Sequence, residues 1–111
     1  MSEELLFERK IKILKALADP TRLQILSFLK DGERCVCEII PAIGKAQSTI
    51  SKHLDILYEA GILDRRTDGR KTLYRVKNYK VFDIIKDVES MVVEDVTTLI
   101  QALGSLKEPK K

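Results

Sequence analysis

Apolar residues crowd the start of the chain at Leu5, Leu6, Phe7, Ile11, Ile13, Leu14 and Leu17, more than one narrow helical stripe needs. With Ser2 as N-cap and Glu3 and Glu4 at the positive end of the dipole, this pattern predicts a helix over residues 3–17. Asp19 and Pro20 then read as a cap and a first-turn proline. They predict a second helix to about Lys30 that buries Leu23, Leu26 and Leu29 and stops at Asp31-Gly32. A short segment, roughly Cys35 to Ile43, is closed by Gly44. Ile50, Leu54 and Leu57 set a helical period from about Gln47 to Ala60, with Gly61 as its stop. The opposite face carries Gln47, Ser48, Thr49, Ser51 and Lys52, all short or hydrogen-bonding groups. Two short helices and a tight turn, the second polar on its outer side, make a helix-turn-helix pattern.

After Gly61 the period changes from helical to alternating. Residues 63–67 and 70–76 read as strands joined by Asp68-Gly69, a preferred two-residue turn. That turn predicts Thr67 opposite Arg70, Arg65 opposite Thr72 and Leu63 opposite Tyr74, with Arg66 and Lys71 facing each other near the tip. A hairpin with a basic tip directly after a helix-turn-helix is a wing. The last helix is predicted over residues 80–103, with apolar positions at Val81, Ile85, Val88, Val92, Val96, Leu99 and Leu103. A second line, Phe82, Ile84, Met91, Val93 and Ile100, widens the stripe. Its polar face is acidic, with Asp83, Asp87, Glu89, Glu94 and Asp95 against Lys80 and Lys86. Residues 108–111 read as a frayed tail.

The fold class expected is therefore mainly α with a small β-hairpin. It forms one winged helix-turn-helix domain over residues 1–111, with a helix-turn-helix core at 20–60 and a wing at 63–76. With aromatic content of 5% and no Trp, the core must be aliphatic. No apolar run is long enough to span a membrane, and the N-terminus lacks the order of an export signal, so a cytoplasmic protein is expected. Charge changes the picture more. From Lys45 to Lys77 there are eight Lys and Arg against four Asp and Glu, so this segment alone exceeds the chain's net +3. That is a localised surface for a polyanion. An exposed helix face of Gln, Ser and Thr can hydrogen-bond base edges, and Lys52 suits phosphate. Arg65, Arg66, Arg70 and Lys71 on the wing can meet phosphate or a minor groove, although such charges also protect exposed strand edges. Nothing supports catalysis: the one His, His53, has no triad partner, and there is no Gly-rich phosphate loop.

Cys35-Val36-Cys37 is the sharpest chemical signal. Residues two apart on a regular helix point about 200° apart, so two thiolates can share an ion only at a helix start or a local distortion. Such a start, next to Arg34, would favour thiolate.

Three stretches together resemble the ArsR/SmtB family of repressors. They are Leu14 to Leu26 with its Ala-Asp-Pro-Thr-Arg centre, Glu33-Arg-Cys-Val-Cys-Glu-Ile39, and Gln47-Ser-Thr-Ile-Ser-Lys-His-Leu54. The hairpin Gly69 to Val76 continues the match, which covers roughly residues 10–103. The resemblance implies repression by binding double-stranded DNA and release on binding an inducer. It also implies a homodimer held by the first and last helices, here through Leu6, Ile13, Ile85, Val88, Val92, Val96 and Leu99. Paired protomers imply an operator that is an imperfect inverted repeat. Gln47, Ser48, Thr49, Ser51 and Lys52 match family positions that face the major groove, whereas Ala46 stands where relatives often carry Ser. The Cys pair resembles the family's site for As(III), Sb(III) and soft metals. Here Ile40 holds the place of a third Cys, and the last helix has none of the His of zinc and nickel sensors.

Three readings of Cys35 and Cys37 stay open. They could bind As(III) or a soft divalent ion with an outside thiol or water, switch by disulfide formation or persulfidation, or simply pack as small apolar groups. No resident cofactor is required. The rival to a DNA-reading repressor is a winged-helix module that binds protein instead.

Overall fold

Ser2 and Asp19 start the first two helices in the computed structural model, which describes residues 1–107 and, within them, side chains up to Ser105. The Ser2 hydroxyl accepts from the Leu5 N–H at 3.1 Å, opening α1 (Glu3–Leu17). Asp19 accepts from the Arg22 N–H at 3.0 Å and opens α2 (Pro20–Leu29), with the proline where its missing N–H costs nothing. A two-residue strand, β1 (Arg34–Cys35), leads into α3 (Val36–Ile43), which Gly44 closes with a left-handed φ of 75°. Then follow α4 (Gln47–Glu59), β2 (Leu63–Asp68), β3 (Lys71–Val76) and α5 (Lys80–Lys107). The described chain groups into two compact units, one spanning Met1–Asn78 and a second that begins at Tyr79.

The core of the first unit is aliphatic, as the composition required. Ile25, Leu26, Leu29, Ile39, Ile50, Leu54, Leu57 and Leu63 are its largest fully buried side chains. Each contributes about 1.5–3 kcal/mol by leaving water. Residues Ile50, Leu54 and Leu57 form the inner stripe of α4 at the positions their spacing predicts. On α2 the expectation needs correction: Leu23 is 37% exposed, and Ile25 is fully buried in its stead. Thr21, Ile25, Leu26 and Leu29 make the inward stripe, and a residue two positions from Ile25 is turned about 200° away from it.

The three strands form an antiparallel sheet in the order β1-β3-β2, so the wing has a third strand that its alternation pattern did not reveal. The hairpin turn also lies one residue further on than expected, which moves every partner by two. Asp68 pairs with Lys71, Thr67 with Thr72, Arg66 with Leu73, Arg65 with Tyr74 and Leu63 with Val76. The turn residues are therefore Gly69 and Arg70, not Asp68 and Gly69, and Arg66 does not face Lys71. Gly69 carries the positive φ of 63°, and among the described residues no non-glycine residue has a positive φ. That matches a turn with glycine at its first central position better than one needing positive φ at both. In the second unit α5 runs past the expected stop at Leu103, through Gly104 to Lys107. A glycine inside a helix costs about 1 kcal/mol but does not terminate it. The expected frayed tail, residues 108–111, lies outside the described residues.

Candidate nucleic-acid interface and cysteine site

Burial of Ile50, Leu54 and Leu57 turns the other side of α4 outward, leaving Gln47, Ser48, Thr49 and Lys52 exposed and Ser51 half-buried. Ala46 sits at the cap position with extended backbone and makes no side-chain hydrogen bond. His53, on the same helix, is tied down. The Nη1 of Arg22 lies 3.1 Å from His53 Nδ1, and Asp19 Oδ2 lies 3.8 Å from the same nitrogen. Arg22 also donates through Nε to the Ala16 carbonyl at 2.7 Å and through Nη2 to the Lys15 carbonyl at 3.2 Å. One guanidinium thus joins the end of α1, the start of α2 and the middle of α4. The Arg22 backbone N–H, aided by the Arg22 charge, holds the Asp19 carboxyl below its usual range.

On the wing the cations fall into two groups. Arg70 and Lys71, at the turn, are exposed and make no ion pair among the described residues. Those on the strands are engaged. Arg65 donates to Asp55 at 3.2 Å and lies 3.9 Å over the Tyr58 ring. The Tyr74 hydroxyl, then Tyr58 and Asp55, push the Arg65 guanidinium further above the ordinary arginine value, which leaves it charged at any working pH. Arg66 grips Glu33 with two bonds, Nε to Oε2 at 2.9 Å and Nη2 to Oε1 at 2.8 Å. That fork lowers the Glu33 carboxyl and raises the Arg66 guanidinium. Asp64 and Arg75, directly opposite in the sheet, approach to 3.4 Å. Residues 33, 55 and 58 carried no sequence signal for these roles, because each contact joins positions ten or more apart or crosses between elements.

The cysteines occupy a helix start, one of the two settings in which their spacing lets the sulfurs meet. Cys35 ends β1 and caps α3 with extended backbone, so its side chain turns back toward Cys37 and the two sulfurs join as a disulfide. The Cys37 N–H points to Cys35 Sγ at 3.0 Å, while Glu38 Oε1 accepts from the Cys35 N–H at 3.0 Å. Cys35 is buried and Cys37 exposed. Two sulfurs are all the site offers: no group of three or more His, Cys, Asp or Glu that could hold a metal ion occurs among the described residues.

The expected dimer residues are apolar and largely uncovered. Leu6 on α1 is exposed and Ile13 half-buried, and on α5 Ile85 is half-buried while Val88, Val92, Val96 and Leu99 are exposed. No described helix is long and apolar enough to cross a membrane.

A short helix-turn-helix with an outward polar face, followed by a basic β-hairpin, defines a winged helix-turn-helix DNA-binding protein. The chain belongs to the ArsR/SmtB family of transcriptional repressors, a family of regulators and not of enzymes. A model of the bacterial regulatory protein, arsR family, matches residues 19–65. An uncharacterized HTH-type transcriptional regulator of Methanocaldococcus jannaschii is 44% identical over 86 residues, covering 77% of this chain and 97% of that one. The arsenical resistance operon repressor of Staphylococcus xylosus is 37% identical over 73 residues, covering 66% of this chain and 69% of its own. A solution structure from Mycobacterium bovis, a homodimeric winged helix-turn-helix DNA-binding domain, superposes with a TM-score of 0.74 at 32% identity. It covers 86% of this chain and 91% of that one.

Proposed function

We propose that two copies of this chain bind an imperfect inverted repeat in double-stranded DNA, one α4 in each of two successive major grooves. The observation that carries this reading is the outward row Gln47, Ser48, Thr49 and Lys52 on a buried stripe, followed along the chain by wing cations Arg70 and Lys71 that are unpaired among the described residues. Gln47, Ser48, Thr49 and Ser51 read base edges, and Lys52 takes phosphate. Arg70 and Lys71 lead the wing onto the backbone. The apolar faces of α1 and α5, with Leu6, Ile13, Ile85, Val88, Val92, Val96 and Leu99, cover each other across the two-fold axis. This removes apolar patches that a monomer would leave in water. Such a protein acts in the cytoplasm, where the DNA is.

The inducer acts at Cys35 and Cys37. As(III) is the first candidate, then Sb(III) or a soft divalent metal, with two protein thiolates and an outside thiol or water completing the shell. The name of the Staphylococcus xylosus relative points the same way. No resident cofactor is needed. The meeting of the two sulfurs favours a second reading, in which a two-electron oxidant joins the thiols, releasing two protons, and thereby switches the protein.

A gel shift on the promoter upstream of the chain's own gene tests both parts. Binding that weakens with salt, and is released by arsenite in the wild type but not in a Cys35→Ser, Cys37→Ser double variant, is the expected result. Release by oxidant alone, with arsenite inert, selects the redox reading. Release of the double variant by either agent places the inducer elsewhere.

A further inference from the structure

We infer that Glu33 is a charge clamp on the wing, withholding Arg66 from DNA phosphate; the inference rests on the DNA-binding reading above. Both carboxylate oxygens of Glu33 are spent on Arg66, at 2.8 and 2.9 Å, in the planar fork that a guanidinium otherwise offers to phosphate. Carboxylate and phosphate compete for the same N–H groups, so Arg66 serves one of them at a time.

The Arg66 side chain is 59% exposed, which screens the pair and limits what its fork adds to folding. Its larger consequence is electrostatic: one wing cation is cancelled. The other strand arginines are matched within their own neighbourhood, Arg65 by Asp55 on α4 and Arg75 by Asp64 across the hairpin. Like Asp55, Glu33 reaches the wing from outside it, from the segment that leads into β1. It does so on a defined row. Residues directly opposite share a face of a sheet, and Cys35 pairs with Leu73, which pairs with Arg66. Arg66 is therefore set two strands away from Cys35 on one face, within reach of the acid two residues before that cysteine.

The salt dependence of binding reads the clamp directly, because each phosphate contact adds about 0.9 to the slope of log affinity against log salt. Fluorescence anisotropy on the upstream promoter duplex, from about 50 to 200 mM salt, compares wild type, Glu33→Gln, Arg66→Gln and the double variant. Arg66→Gln alone is expected to leave the wild-type slope unchanged. Glu33→Gln is expected to steepen it by about 0.9 per protomer, or about 1.8 for the bound pair, an extra loss of about 12-fold over that fourfold range. The double variant is expected to return to the wild-type slope. A flatter slope for Arg66→Gln alone means that Arg66 already sits on phosphate and overturns the clamp. A Glu33→Gln effect that persists without Arg66 is simple charge loss and overturns it too, as does no effect at all. An Arg70→Ala control separates the two levels. If it flattens the slope while Glu33→Gln does nothing, only the clamp fails. A wild type that binds no duplex removes the DNA-binding reading itself.

Discussion

Arg22 donates to His53 across 31 positions of sequence, Nη1 to Nδ1 at 3.1 Å. A guanidinium cannot accept, so His53 accepts at Nδ1 and the neutral ring carries its proton on Nε2. The contact fixes α4, the helix with the outward polar row, to the junction of α1 and α2. Arg22→Ala is expected to cost about 2 kcal/mol by denaturant titration, since hydrogen bonds to three acceptors go at once. Arg22→Lys should recover little of it, because an ammonium cannot serve the same fork. His53→Asn, which keeps an acceptor near Nδ1, should be milder than His53→Leu. Equal losses for those two would mean that packing, not the hydrogen bond, is what matters at His53.

Asp19 sits at the other end of this network. Its carboxyl is held below the usual 3.8, first by the Arg22 backbone N–H. A depressed carboxylate contributes stability above its unfolded value and loses it as pH falls through the folded one. Asp19→Ala is thus expected to cost about 1 kcal/mol at neutral pH as a lost helix cap. The gap from wild type should narrow only below about pH 4, as the Asp19 carboxylate is protonated. A gap that stays constant down to pH 2 would assign the loss to something other than the ionised cap.

Ala46 offers a gain. Its backbone is extended, as a cap requires, yet it supplies no acceptor to α4. Ala46→Ser is expected to stabilise the chain by about 0.5–2 kcal/mol, seen as a rise in the midpoint of denaturant unfolding. No rise would mean that the start of α4 is already satisfied by water.

The outward residues of α4 and the turn of the wing should fail differently. Gln47→Ala is expected to relax preference at one position of the operator, worth about 1–3 kcal/mol between the right and wrong base. Arg70→Ala or Lys71→Ala should instead weaken binding to all sequences alike and flatten the salt slope by about 0.9 for each phosphate no longer neutralised. Competition binding against scrambled duplexes distinguishes the two. Sequence-blind loss at Gln47 would take that residue off the bases.

The helices were legible because their signals are local. Ser2, Asp19-Pro20 and Gly44 each act within one turn, and the spacing of Ile50, Leu54 and Leu57 alone places the polar row of α4 outward. The cysteine spacing lets two sulfurs meet at a helix start, which Cys35 provides. Where the reading slipped, the competing force was either a one-residue choice or a distant partner. Asp68-Gly69 and Gly69-Arg70 are both plausible turns, and the sheet chose the one that gives positive φ to glycine alone. Leu23 and Ile25 are equally apolar in sequence, and only the packing against neighbouring elements selects Ile25.

The sequence by itself determined that a polar helix face and a basic hairpin follow one another, and that two thiols stand two residues apart. Side-chain periodicity and caps are properties of a few consecutive residues. Only the tertiary structure decided which cations remain available. Glu33 reaches Arg66, Asp55 reaches Arg65 and Arg22 reaches His53 only after the chain has brought them together. Ion pairs and hydrogen bonds act over about 3 Å of space, whatever the distance along the chain.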